Sequence, residues 1–221
     1  MNYRNDDLGQ YGRRESIRIH GVTPDLGKDP EQIVLDIVKK IEETAVDDKG
    51  NKIEIGLEKK HIQRCHFLGT SQNKIICRFI PFKKRMQILL NKKPINSAKT
   101  GRYKNIFIAE DLTPLRNRLL WYVKNHCKTK FKNLHTRNGV VRAKKEGKDS
   151  ATDPWLTFKN PDELFKHLDE DDEFDLKVFN HKLHVFKVLP DIHIPDFDIT
   201  FPDDDDNDDD DNDDENEDDD V

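Results

Sequence analysis

Tyr11-Gly12-Arg13-Arg14-Glu15-Ser16-Ile17-Arg18-Ile19-His20-Gly21-Val22 decides how the rest of the chain is read, because it alternates apolar and cationic side chains and closes on a glycine. Successive side chains of a strand leave on opposite faces, so Ile17 and Ile19 are expected to meet a core while Arg18 and His20 point away from it. Such a strand needs partners of its own kind. Residues 74–79 (Lys-Ile-Ile-Cys-Arg-Phe) and 105–109 (Asn-Ile-Phe-Ile-Ala) offer them, with helical stretches between.

Upstream, residues 1–14 are polar and carry Gly9 and Gly12, which would fray a helix, so they read as an arm. Downstream, Pro24 and Gly27 mark a turn, Asp29 stands at an N-cap position, Pro30 opens a helix and Gln32 completes a capping box. The helix is expected to reach about residue 43, with Ile33, Ile37, Val38 and Ile41 on one stripe. Residues 47–51 form a charged turn, and 62–68 a second strand closed by Gly69. After the strand at 74–79, Pro81 begins a second helix whose apolar stripe is read as Phe82, Met86, Leu89 and Leu90. The order strand, helix, strand, strand, helix, strand is that of a ferredoxin-like (RRM-type) domain over residues 15–110, with helices on one face of the sheet and the other face open.

From Glu110 the pattern changes. Asp111 or Thr113 caps, and Pro114 opens, a helix to about residue 128 carrying Leu115, Leu119, Val123 and Cys127. Asn138-Gly139 predicts a hairpin between residues 134–136 and 140–142. A short strand at 155–158 follows, and Asn160-Pro161-Asp162-Glu163 starts a last helix to about residue 168. The fold class is therefore α+β: the ferredoxin-like domain, then a small basic α-β-β-β-α domain over 111–190 in which the pattern of 169–190 is too weak to assign. Residues 191–221 are expected to be a disordered acidic tail, since the stretch after Pro202 has almost nothing apolar to bury.

Apolar residues make up 34% of the 221, below the ordinary share of about 45–50%. The net charge of −6 conceals a division, because residues 203–220 hold 13 Asp and 2 Glu; with those 15 set aside, 29 acidic residues face 38 basic ones, about +9. Between Lys74 and Lys148 stand 21 Lys or Arg against Glu110, Asp111 and Glu146 alone. That density is the electrostatic footprint of a polyanion site, and nucleic acid is the usual polyanion. Three cysteines without paired spacing argue against a disulfide framework, and no apolar run approaches the ~18 residues of a membrane span. Phosphate-loop, nucleophile-elbow and zinc-protease motifs are missing, so no enzyme or cofactor is expected. Cys65-His66 and His181-Lys182-Leu183-His184 lack further ligands at workable spacing and are read as coincidental rather than as a metal site.

An ordinary RRM stacks bases on aromatics of its first and third strands. Arg18 fills the first-strand slot here, and Lys74 and Ile76 the third-strand slots, beside His20 and Arg78. Such a face holds phosphates by charge-assisted bonds and reads bases weakly.

Three stretches carry a resemblance: residues 10–22, Arg64-Cys65-His66-Phe67-Leu68-Gly69, and Glu110-Asp111-Leu112-Thr113-Pro114-Leu115-Arg116-Asn117-Arg118. In that order they resemble the RNA-binding protein encoded by the first open reading frame of LINE-type retrotransposons, over roughly residues 7–168. The resemblance implies an atypical RRM followed by a small C-terminal domain, RNA in the cleft between them, ribonucleoprotein formation and nucleic-acid chaperone activity. By motif position it points to Arg118 first, then Arg116, Arg78 and the cluster Lys83, Lys84 and Arg85; Arg102, Lys104 and Arg142 complete the candidate set with Arg18, His20 and Lys74. Phe67 stands where the family carries Arg, the family's coiled coil is reduced to a remnant around Leu8, and the acidic tail is outside the pattern. Single-stranded RNA or DNA is the expected partner, with no membrane, in a cytoplasmic or nuclear ribonucleoprotein. This chain is expected to be a monomer, and a trimer where a longer coiled-coil form exists. The alternative is a protein-interaction module whose tail binds basic partners such as histones; the tail itself reads either as an internal competitor or as a solubilising segment.

Overall fold

Alternation in the opening strand does what it predicts: Ile17 and Ile19 are fully buried, while Arg18 and His20 keep contact with solvent. A computed structural model describes residues 3–147, 153–168 and Phe179. In chain order its elements are α1 (Arg4–Tyr11), β1 (Ser16–His20), α2 (Pro30–Thr44), β2 (Ile62–Leu68), β3 (Lys74–Phe79), α3 (Phe82–Leu90), α4 (Lys93–Asn96), β4 (Phe107–Glu110), α5 (Pro114–His126), β5 (Phe131–Arg137), β6 (Val140–Lys145), β7 (Leu156–Phe158) and α6 (Pro161–Phe165). The fold class is α+β with two antiparallel sheets, one ordered β2-β3-β1-β4 and the other β5-β6-β7.

Each sheet has its own core. One gathers Ile17, Ile19, Ile75, Cys77, Phe79 and Ile108 against Ile33, Val34, Ile37, Val38 and Ile41 of α2 and Ile88 of α3. The other gathers Leu119, Tyr122 and Val123 of α5 with Val141, Ala143, Phe158, Leu164 and Phe179. Burying each large aliphatic side chain contributes roughly 1.5–3 kcal/mol, so α2, with five buried aliphatics, is the main clamp on the first sheet. Local signals set several boundaries. Asp29 caps α2 by accepting from Glu31 N–H, Thr113 caps α5 by accepting from Arg116 N–H, and Asn160 caps α6 by accepting from Glu163 N–H. Asn138 and Gly139 both take positive φ, 52° and 77°, and close the β5–β6 hairpin on two residues.

Four expectations are corrected. Residues 4–11 are a helix rather than an arm, because Gln10 is buried and its amide is used at both ends. Gln32 closes no capping box; its amide donates instead to Asp36 one turn on. The stripe of α3 is rotated: Phe82 and Leu90 are exposed while Arg85 and Ile88 face inward, because Arg85 has a buried carboxylate to meet. The segment between α3 and β4 carries the short helix α4, which the sequence pattern did not signal. Among the described residues no helix is long and apolar enough to cross a membrane. The expected acidic tail and the weak pattern of 169–190 lie outside the described residues, apart from Phe179.

Candidate nucleic-acid interface

The face of the first sheet turned away from α2 is built by register. His20 lies between Lys74 of β3 and Phe107 of β4, and Arg18 lies between Ile76 and Ala109. On β2, Arg64 pairs with Arg78, and His66 with Ile76. Five cations or histidines named from the sequence or newly placed here, Arg18, His20, Lys74, Arg78 and Arg64, therefore share one surface with His66 and Phe107, all retaining solvent contact. Two of the arginines are already paired. Asp111 accepts from Arg18 Nε at 2.6 Å and from Arg13 Nη1 at 2.9 Å, and Glu15 takes Arg78 Nη2 at 2.7 Å. One carboxylate shared by two guanidiniums leaves a positive surplus there.

His20 is not a cation at neutral pH. Burial of its ring, with Lys74 and Arg18 alongside, pushes its pKa down to about 4. Its Nδ1 is buried without a partner, as is Nδ1 of His66. The His20 ring tilts against Phe107 with centroids 6.5 Å apart, so this face offers an aromatic pair on β1 and β4 where the sequence reading found no stacking surface.

Four other candidates from the sequence are structural. Arg85 is 1% exposed and donates from Nη2 to Glu110 Oε1 at 2.5 Å and from Nη1 to Asn138 Oδ1 at 3.3 Å. Glu110 Oε2 accepts from Gly139 N–H at 2.9 Å. Arg116, 4% exposed, binds Gly139 O through Nη1 and the carboxylates of Asp6 and Asp7 through Nε and Nη2. The turn of the second sheet is thus held at a polar junction by the end of β4, by α3, by α5 and by α1. Gln10 seals it, donating to Asp111 O at 3.0 Å and accepting from Thr113 N–H at 2.9 Å. Arg118 is buried under the Phe179 ring, 5.0 Å from its centroid, and burial lowers its pKa; its Nε has no partner. Lys84 donates to Ile55 O. These side chains are cationic by composition, yet Arg85, Arg116 and Arg118 are buried and Lys84 is turned to a backbone carbonyl, so the fold withdraws them from the surface.

Lys83, Arg102 and Lys104 are exposed, but Arg102 donates to Asp25 O and Leu26 O, at 3.1 Å each, on the loop before α2. Arg142 lies on the outer face of the second sheet, its guanidinium 5.4 Å from the ring centroid of Trp155. Lys144 Nζ stands 4.9 Å from the same ring and His135 meets it edge-on at 4.6 Å. Among the described residues no group of three His, Cys, Asp or Glu is arranged to hold a metal. Cys65 points to the core opposite Cys77 while His66 points outward, as strand alternation requires; His181 and His184 lie outside the described residues.

No family model matches the chain, and no curated protein matches it. The residues missed in the sequence were Arg64, His66 and Phe107 on the first sheet and His135, Lys144 and Trp155 on the second. Counted from buried Ile62, alternation would turn Arg64 and His66 inward, and the register shift between Ile62 and Arg64 is what turns them outward; Phe107 needed the fourth strand's register, and Trp155 the pairing of β7 with β6.

Proposed function

We propose that this chain is a non-enzymatic, largely sequence-independent binder of single-stranded nucleic acid, RNA foremost, that works in a ribonucleoprotein or as a nucleic-acid chaperone. In this reading the first unit is a ferredoxin-like domain of the RRM type, which its strand order β2-β3-β1-β4 and the packing of α2 and α3 on one face support. The second unit is then the small C-terminal domain of the LINE-type proteins that the sequence resembles.

One observation carries the proposal: the outer face of the first sheet. Inward residues Ile17, Ile19, Ile75, Cys77, Phe79 and Ile108 are buried, whereas Arg64, His66, Lys74, Arg78, Arg18, His20 and Phe107 on the opposite face keep solvent contact. A surface that is cationic and provided with one aromatic pair suits phosphates spaced along a strand, with a base or two against His20 and Phe107. Lys83, Lys104 and Arg142 extend the positive field. Buried Arg85, Arg116 and Arg118 serve the reading only by fixing the scaffold. The 15 carboxylates of residues 203–220 favour a second reading, capture of basic proteins, in which the same chain binds through the tail.

Titration of the chain with a single-stranded oligonucleotide from 50 to 300 mM salt separates the two. About five neutralised phosphates should give a log–log slope of about −3 to −4. Lys74→Glu and Arg64→Glu should weaken all sequences alike, since phosphate contacts carry no base information. A flat salt response, or a loss confined to one sequence, would remove the proposal.

A further inference from the structure

The geometry points to a second nucleic-acid contact on the outer face of the second sheet, where Trp155 stacks one unpaired nucleobase while Arg142 and Lys144 hold the adjoining phosphates; we infer this on the reading that the chain binds single strands. Trp155 belongs to neither core and is only half-buried, although a side chain of its size usually finds one. Its neighbours are polar and cationic. Arg142 pairs in register with Thr157 and Ala143 with Leu156, so continuing the ladder sets Trp155 beside Lys144, which itself pairs with Lys132. The two cations then lie 5.4 Å and 4.9 Å from the indole centroid, and His135 contacts its edge.

Such contacts do two things at once. They fix the indole against β6 and β5 instead of letting it swing, and they gather two positive charges beside its ring. A duplex offers no unpaired base face, and an acidic peptide offers charge without a flat π-surface. A single strand presents both, with one phosphate per nucleotide beside each base. The occupant that matches an indole flanked by fixed cations is therefore an unpaired nucleotide. The loss of base stacking corresponds to a weakening of roughly tenfold per site.

The test uses the full chain carrying Trp121→Phe, which leaves Trp155 as its only tryptophan, since the chain has two. Fluorescence and anisotropy are followed together as labelled oligo-deoxythymidylate, an abasic oligomer of equal length, and a blunt duplex are added. Expected are saturable quenching by the oligonucleotide, binding of the abasic strand without quenching, and no quenching by the duplex. In the otherwise unaltered chain, Trp155→Ala should weaken oligonucleotide binding about tenfold and Trp155→Phe distinctly less, with abasic binding unchanged. Should Trp121→Phe fail to fold, the difference in quenching between the wild-type chain and Trp155→Phe supplies the same readout. Oligonucleotide binding without quenching, or equal losses for abasic and normal strands in Trp155→Ala, overturns the stacking site and leaves the proposed function standing. Failure of every strand to bind overturns both.

Discussion

Replacing Glu110 by Ala should be the most damaging single change at the polar junction. Its carboxylate is 5% exposed as a residue and does two jobs, neutralising Arg85 at 2.5 Å and accepting the Gly139 amide at 2.9 Å. Removing one partner of a buried ion pair costs roughly 3–5 kcal/mol, because the surviving charge is left in a poor solvent. An orphaned buried amide adds roughly 1–3 kcal/mol. The two penalties share one site and overlap, so about 5 kcal/mol is expected, against a native stability of roughly 5–15 kcal/mol for ordinary domains. Arg85 already carries an unpartnered Nε and cannot turn to water without unpacking α3. Urea unfolding followed by tryptophan fluorescence and far-UV circular dichroism measures the loss. The double variant Arg85→Met/Glu110→Leu should recover most of the charge penalty and keep only the cost of the orphaned amide. A loss below about 1 kcal/mol for Glu110→Ala, or a double variant no better than the single, would refute the account of the junction.

Gly139→Ala should destabilise by about 2–3 kcal/mol, because a Cβ there would sit 2.5 Å from the Gln10 side chain in a backbone of φ +77°, and Gln10 can yield only by giving up two hydrogen bonds; a neutral result in thermal melts would show that the turn is not wedged. Because His20 is held at about 4 when folded and returns to about 6.5 unfolded, the unfolded chain binds more protons between those values, so stability should fall as pH drops from about 6.5 towards 4, by at most about 3 kcal/mol and less where water reaches the ring. His20→Gln should abolish that part of the acid sensitivity in urea titrations at pH 7 and pH 4.5; an unchanged difference between the two pH values contradicts it. Removal of residues 203–221 should tighten oligonucleotide binding about tenfold at low salt if the tail competes for the basic surface, and the gain should shrink as the Debye length contracts to about 8 Å at physiological ionic strength. Unchanged affinity at low salt would favour the basic-partner reading.

The parts of the fold that could be read in advance are those governed by neighbours in sequence. Helix α2 shows itself through the spacing of Ile33, Ile37, Val38 and Ile41, and the second hairpin through Asn138-Gly139, whose positive φ angles few other pairs adopt readily. Helix α3 was misphased because periodicity counts an arginine as polar, while Arg85 goes inward to a carboxylate 25 positions later. The same blindness affected the site. Alternation put Arg18 and Arg78 on the outer face correctly, but nothing local reveals that Asp111 and Glu15 pair with them. Basic density across 74–148 was legible as charge, not as accessibility: Arg116 and Arg118 look like surface cations on a helix opening and are buried by α1, the hairpin turn and Phe179.

The wedged turn at Asn138-Gly139 has a consequence for inheritance. Its backbone amide and carbonyl are claimed by Glu110 from one half of the chain and by Arg116 at the start of the other, with Asp6 and Asp7 completing the arginine's shell from the opposite end of the sequence. A recombination that exchanged either half for a distant counterpart would have to bring matching charges at four separated places at once. The two halves are therefore expected to descend as one unit, their substitutions at these positions correlated, however freely the surfaces around them drift.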